Sequence, residues 1–422
     1  MRRVHYEKKF SGLSKMSFGL IGTGLVGGNL ALNISKKTEI NLYNRTPSRA
    51  RELIAQNPNK PLICHETLED MIYEMKSPRT IFTTTPQGSS TTLVVNELCD
   101  ILSKDDVILD VSNDYFELSE SRNRKCTSND IGYLGIGISG GIAGILNNPT
   151  LTVGGKIETY SKQRDFLKGI SDNVVYMGTD AGDGHYINMV HNGIEYAILQ
   201  GMSDIFTYCN YDQEEFIKVL TIAGNTEMYG YLIENAKYTC KRFDLSNIDG
   251  KCEMNDSGLW CSIFNLKHGI SAPMIIASVM ARINSRHTFD VAQKVPPHHV
   301  DRYIAVGALM FVFSSSILEG YNMIYHKNID EKLARRAWGN GTIIESYLLS
   351  RYSSASLYFN RNDHVKYARE VVGVCNRFKK SVPVLSAGVD NFDSERDGNM
   401  PLSLLMAQRH VFTGKGLKYI KN

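Results

Sequence analysis

The chain has little that would tie it to a membrane, a metal or a nucleic acid. Its 422 residues contain no run of 18 or more apolar residues, and the nearest, Tyr303 to Phe313, is too short to cross a bilayer and reads as a buried helix. The eight cysteines are scattered without a CxxC pair, and the 11 histidines do not cluster with them at zinc-ligand spacing. That argues against a structural metal and fits reduced thiols in a cytoplasmic protein. A net charge of +3 is close to balance. It argues against nucleic-acid or membrane-surface binding by bulk charge, while a local anion pocket stays open. Residues 1–15 are basic but lack the apolar core of a signal peptide, so they read as an N-terminal extension, with Met16 as the working start. Internal repeats and low-complexity linkers are also missing.

What is present divides the chain in two. Its length exceeds what one hydrophobic core usually supports. Ser17 to Ile21 is a short apolar run, followed by Gly22-Thr23-Gly24-Leu25-Val26-Gly27 and then a helical pattern. Strand, glycine turn and helix together make a strong dinucleotide signal, because the glycines let the backbone approach a pyrophosphate at the helix N-terminus. The second strand, Glu39 to Tyr43, ends in Asn44-Arg45-Thr46 rather than in an acidic residue. An acid there would bond a ribose 2′-hydroxyl; Arg45 instead offers a fork for a 2′-phosphate, so the site reads as NADP-binding. Further strands are expected at Thr80 to Thr83, Val107 to Val111 and Tyr133 to Ile138, with helices between them, as a doubly wound parallel sheet requires. Thr83-Thr84-Thr85-Pro86 then lies at the carboxyl edge of the sheet, where ligands bind.

From about residue 181 strands nearly vanish. Gly182 to Cys209, Gln213 to Ile222, Met228 to Thr239, Pro273 to Arg282, Val300 to Met323 and Glu331 to Ser350 read as helices. In the first of these, Asn188, His191, Asn192 and Glu195 fall on one arc, and Ile187, Val190, Ile194 and Ala197 on another. A surface helix would carry lysine on its polar face. This face has two amides, an imidazole and a carboxylate, which suit the orientation of a small polar ligand; side chains bonding neighbouring loops would give the same pattern.

The string Gly184-His185 … Met189-Val190-His191-Asn192-Gly193-Ile194-Glu195-Tyr196 resembles the catalytic helix of the decarboxylating 6-phosphogluconate dehydrogenases. Similarity to that family extends to Asn44-Arg45-Thr46, to Asn113 in the loop after Ile108–Val111, and to the loop opened by Ser139-Gly140-Gly141. It continues through Asp256–Trp260, read as a loop containing Ser257, through Trp338–Ile344, and through Leu405–Arg409. The resemblance implies a Rossmann-type α/β dinucleotide-binding domain (16–180), an all-α helical domain (181–400) and a C-terminal tail (401–422). It implies NADP held at Gly22, Gly24, Gly27, Asn44, Arg45, Thr46, Thr85 and Asn113. Substrate would be bound by Asn113, Ser139, Gly140, Gly141, Asn192, Tyr196, Ser257, Arg282, Arg409 and Lys415. The implied substrate is 6-phosphogluconate, oxidised and decarboxylated to ribulose 5-phosphate in the pentose phosphate pathway, by a homodimer.

Within that resemblance Glu195 matches the acid that protonates the enediol carbon. Asn188 stands where the family has its lysine base, and an amide cannot take up a proton near neutral pH. His191 is the neighbouring group with a suitable ordinary pKa. Thr85, Ile142, Asn255 and Lys415 also depart from the family pattern. Three functions are therefore compatible with the sequence: the dehydrogenase working with His191 as substitute base, a silent relative that binds NADP or a sugar phosphate, and a superfamily reductase with another substrate.

Overall fold

A computed structural model describes residues 16–287, 296–397, 400–414 and 416. An eight-stranded sheet occupies the first half in the order β3-β2-β1-β4-β5-β6-β7-β8. The strands are β1 Ser17–Ile21, β2 Ile40–Tyr43, β3 Leu62–Cys64, β4 Arg79–Thr83, β5 Val107–Asp110, β6 Gly132–Ser139, β7 Thr150–Gly154 and β8 Asn173–Gly178. All neighbours run parallel except β6 and β7, which are antiparallel. Three strands, β3, β7 and β8, extend the sheet beyond the five expected. Alternation along the strands fills both faces. Phe18, Leu20 and Leu109 pack with Leu30, Ile34 and Phe166 on one side, and Ile21, Ile81 and Ile108 with Met71 and Leu98 on the other.

The second half is helical around two long elements, Asp183–Tyr208 (the site helix) and Arg302–His326. The latter is long and apolar enough to cross a membrane, but 78% of its most apolar window is buried inside the fold, where it packs as a core helix. Two helices starting at Pro273 and Pro383 have their first N–H groups capped by carboxylates from these long elements. Glu319 accepts from Met274 and Ile275, both at 2.9 Å, and Asp204 accepts from Val384 at 2.9 Å and Leu385 at 3.0 Å.

Several expected elements differ. Asp256–Trp260 is not a loop: Asn255 accepts the Ser257 N–H at 3.2 Å and starts a helix, Asp256–His268. Glu331–Ser350 is not continuous, because the chain turns between Glu331–Trp338 and Tyr347–Arg351 through Gly341, whose φ is +70°. Helix Tyr231–Arg242 begins three residues later than Met228, after a turn in which Leu348 donates to the Glu227 carbonyl at 2.6 Å. The segment carrying Leu405–Arg409 is a helix, Met400–Thr413.

The site helix meets the sheet directly. A Cβ on Gly184 would lie 2.3 Å from the Gly135 carbonyl oxygen, and one on Gly137 would lie 2.6 Å from Asn188 Cβ. Side chains at either glycine would push the helix off β6 and β7. The close approach brings the polar arc of the helix to the carboxyl ends of the strands.

Candidate functional site

A cleft of about 590 Å³ lies between the carboxyl edge of the sheet and the site helix. At one end is the turn after β1. Gly22 has φ +97°, and a Cβ on Gly27 would fall 1.9 Å from its carbonyl oxygen, so the helix Leu25–Ile34 starts hard against the turn. A Cβ on Gly24 would meet nothing within 4 Å, so the backbone there is open to a ligand at the helix N-terminus. Such a cradle fits a pyrophosphate. Asn44 ties it to the next loop: Thr23 N–H donates to its Oδ1 at 2.9 Å, and its amide donates to the Thr46 carbonyl at 2.8 Å.

Of the residues expected to hold the cofactor, Gly22, Gly24, Gly27, Asn44, Thr85 and Asn113 line this cleft. Arg45 and Thr46 are exposed and do not; Arg49, four positions beyond Arg45, does. Reading the basic residues one helical turn past the strand end would have found it.

At the other end, Ser139, Gly140 and Gly141 from the end of β6 face Asn188, His191, Asn192 and Glu195 from the site helix across the same cleft. The loop after β5 contributes Asn113, whose Oδ1 accepts from Asn188 Nδ2 at 3.1 Å. Asn255 and Ile343 complete the lining from the helical half. Asn255, already singled out as a departure from the family pattern, lines the cleft; the place of Ile343 was not legible, because it sits in the turn that breaks 331–350.

Tyr196 and Arg282 stand behind this wall. The Tyr196 hydroxyl donates to Asn255 Oδ1 at 3.1 Å, and the Arg282 guanidinium lies 3.5 Å from the Tyr196 ring centroid, a cation–π contact. Ser257 is buried, and its hydroxyl donates to Asn255 Oδ1 instead of facing the cleft. Arg409 is exposed on Met400–Thr413 and does not line the cleft of its own chain, while Lys415 lies outside the described residues.

Burial shifts the two titratable groups in opposite directions. It pushes the Glu195 carboxyl up to about 7, against the pull of the Arg282 charge. It pushes the His191 imidazole down to about 4, although the hydrogen bond with Asn192 favours the charged ring. His191 Nδ1 lies 2.9 Å from Asn192 Oδ1 and 4.0 Å from Glu195 Oε2, and its Nε2 lies 3.3 Å from Ser139 Oγ. Near pH 7 the site holds a neutral imidazole, whose burial weakens it as a proton acceptor, and a carboxyl group that is partly protonated and able to give a proton.

A buried ionic network fixes the two loops that carry Gln87 and Asn113. Arg122 donates to Asp110 at 3.0 Å, to Asp114 at 2.6 Å and to the Gly88 carbonyl at 2.9 Å. Asp114 in turn accepts from Gly88 N–H at 2.9 Å, and Asp110 from the Tyr133 hydroxyl at 2.6 Å. Burial alone would raise the Asp110 carboxyl, but His185, Arg122 and the hydroxyls of Ser112 and Tyr133 hold it below its ordinary value.

Residues 17–178 match the NAD binding domain of 6-phosphogluconate dehydrogenase, and residues 184–422 match the 6-phosphogluconate dehydrogenase C-terminal domain. The chain is 29% identical to the decarboxylating 6-phosphogluconate dehydrogenase of Salmonella typhimurium, covering 95% of this chain and 96% of the relative. It is 26% identical to that of Lactococcus lactis, covering 95% of each. The structure of Plasmodium falciparum 6-phosphogluconate dehydrogenase has the same fold, with a TM-score of 0.84 at 24% identity over 96% of this chain and 98% of that one. The Mycobacterium tuberculosis 3-hydroxyisobutyrate dehydrogenase structure matches more loosely, with a TM-score of 0.52 at 15% identity, covering 69% of this chain and 98% of that one. With one family model spanning the sheet and another the helical half, the chain belongs to the 6-phosphogluconate dehydrogenase family.

Proposed function

We propose that this protein oxidises and decarboxylates 6-phosphogluconate to ribulose 5-phosphate with NADP. One observation carries the reading: a single cleft is lined both by the open glycine turn and by the Ser139, His191 and Glu195 side chains. The curated relatives bear the name of this activity, and the Plasmodium enzyme has NADP+ as cofactor and 6-phosphogluconate as substrate. The divisions 16–180, 181–400 and 401–422 are the domains and tail of this reading.

Bound NADP would supply the acceptor for a hydride from the substrate C3. Gly22, Gly24 and Gly27 would cradle its pyrophosphate, with Arg49 and Arg45 as the cations available to the 2′-phosphate. Asn113, Ser139, Gly140, Gly141 and Asn192 would orient the sugar acid. Asn188 holds the Asn113 carbonyl oxygen at 3.1 Å, which leaves the Asn113 amide N–H groups for a ligand. Glu195, kept partly protonated near pH 7 by burial, delivers the proton to the carbon that loses carbon dioxide. His191 replaces the family's lysine as the base.

Arg282 lies behind the cleft wall, and Arg409 and Lys415 are offered to the phosphate by a second copy in a homodimer. The tail helix supports the last point, because Leu402, Leu404 and Phe412 are 58%, 66% and 75% exposed in the single chain. A cytoplasmic location agrees with the eight free thiols.

The test is NADPH absorbance with 6-phosphogluconate at high enzyme concentration, together with carbon dioxide release. Slow, stoichiometric formation of both is expected. Calorimetric NADP binding without any reduction would leave only a ligand-binding relative.

A further inference from the structure

We propose that Ser139, His191 and Asn192 act as one proton-accepting chain that stands in for the missing lysine, with Ser139 Oγ as the atom that touches the substrate hydroxyl. The inference rests on the dehydrogenase reading above and deepens it.

The direction of the chain follows from its neighbours. His191 Nδ1 faces the Asn192 carbonyl oxygen at 2.9 Å, an acceptor, so we assign the ring proton to Nδ1. Nε2 then carries the lone pair, and the group within reach is Ser139 Oγ at 3.3 Å, which donates to it. Among the described residues no other side chain is hydrogen-bonded to Nε2. The small void there is also lined by Thr152 and Thr342, but Thr152 donates to the Gly184 carbonyl at 2.9 Å and Thr342 to the Trp338 carbonyl at 2.5 Å. His191 is 2% exposed, so little of the ring meets bulk water. A hydroxyl, an imidazole and an orienting carbonyl in series form the arrangement that activates serine and cysteine nucleophiles. Here it serves a substrate O–H. The 3.3 Å step is long, as such bonds are before a ligand closes the site.

The proton balance closes over one turnover. As the C3 hydride leaves for NADP, the C3 hydroxyl proton passes to Ser139 Oγ and the serine proton passes to His191 Nε2, which leaves the C=O bond and an imidazolium. Loss of carbon dioxide puts its C–C electron pair on the substrate as an enolate, and the chain returns its proton to the oxygen. In the last step Glu195 protonates carbon while the enediol O–H proton runs back along Ser139 to His191. The imidazolium then gives up its Nε2 proton through Ser139 to water that enters the cleft on product release, and Glu195, which lines the same cleft, takes one up, so the ring ends as it began with its proton on Nδ1. No net proton is taken up, matching an exchange of one hydroxy acid and NADP+ for one ketone, carbon dioxide and NADPH. Asn192 is a positioning residue in this scheme; Ser139 and His191 do the transfer.

The charged and titratable groups facing the imidazole are Glu195 on its own helix and, beyond it, Tyr196 and Arg282. The experiment uses the full-length protein with saturating NADP. His191→Gln keeps the size and hydrogen bonding of the ring but cannot hold the proton; kcat is expected to fall about 10²–10⁴-fold while KM for 6-phosphogluconate stays within a few-fold. Ser139→Ala should lower kcat at least about tenfold, and Ser139→Thr, which keeps the hydroxyl, should restore most of it. Asn192→Asp places a carboxylate on Nδ1–H and should move the acid limb of kcat upward by about one pH unit or more, which a purely structural role would not do. Should His191→Gln fail to fold, the serine pair and Asn192→Asp decide the matter.

Retention of wild-type kcat by His191→Gln and Ser139→Ala would overturn the chain while leaving the dehydrogenase standing. Absence of NADPH from the unmodified protein would overturn the dehydrogenase reading itself, and the chain with it.

Discussion

Glu195 and Asp204 sit on the same helix, and burial raises both carboxyls to about 7. Their hydrogen bonding differs. Asp204 spends its oxygens on the N–H groups of Val384 and Leu385 and on the Gln200 amide, at 2.9 to 3.0 Å. Glu195 accepts no hydrogen bond from the described residues and faces a cleft. A displaced pKa therefore marks a reacting group only where hydrogen-bonding capacity is left over for something else. Glu319, raised to about 8 and capping Met274 and Ile275, belongs with Asp204.

The comparison can be broken most sharply by neutralising each carboxyl in turn. Glu195→Gln should lower kcat by about 10²–10⁴ with little change in melting temperature, as expected for loss of an acid that acts only during turnover. Asp204→Ala should do the reverse. It orphans two buried N–H groups and should cost about 2–4 kcal/mol of stability by denaturant titration, with kcat unchanged in the folded fraction. A fall in kcat for Asp204→Ala as large as that for Glu195→Gln would mean that both ends of the helix serve the chemistry.

Next in size is the position where the amide stands. Asn188→Lys should raise kcat at least about tenfold, because a lysine there supplies a strong proton acceptor beside Asn113 and Ser139. An unchanged rate would show that the cleft has been rebuilt around the amide.

The smallest effect is on stability against pH. The Asp204 and Glu319 carboxyls are raised in the folded protein, so their contribution is full below the ordinary carboxylate range, near pH 4, and is lost as pH rises through about 7 and 8. Melting temperatures from pH 5 to 8.5 should show this as a decline that flattens in Glu319→Gln. An equal slope in that variant would remove Glu319 from the account.

The strand–turn–helix at Ser17–Ile34 was legible because each part is local: a buried run, glycines that permit a tight approach, and an apolar helix. Strands β3, β7 and β8 were not. β3 has only three residues, and Thr150–Gly154 gains its place by pairing antiparallel with β6, a non-local contact. Asp256–Trp260 read as a loop because its start depends on the side chain of Asn255, just before it. In the site, periodicity grouped Asn188, His191, Asn192 and Glu195 on one arc of a helix, and all four line the cleft. Periodicity could not see that Ser257 turns inward to Asn255, or that Arg49 reaches the cleft where Arg45 does not.

By itself, the sequence determined the glycine turn, the helical second half and the identity of the groups on the polar arc, because spacing along one chain sets which side chains share a face. Only the tertiary structure decided which of those groups are free to react. Depth of burial sets the protonation of His191 and Glu195, and the partners at Ser139, Asn192 and Asn113 come from contacts that depend on how the helix seats against the sheet.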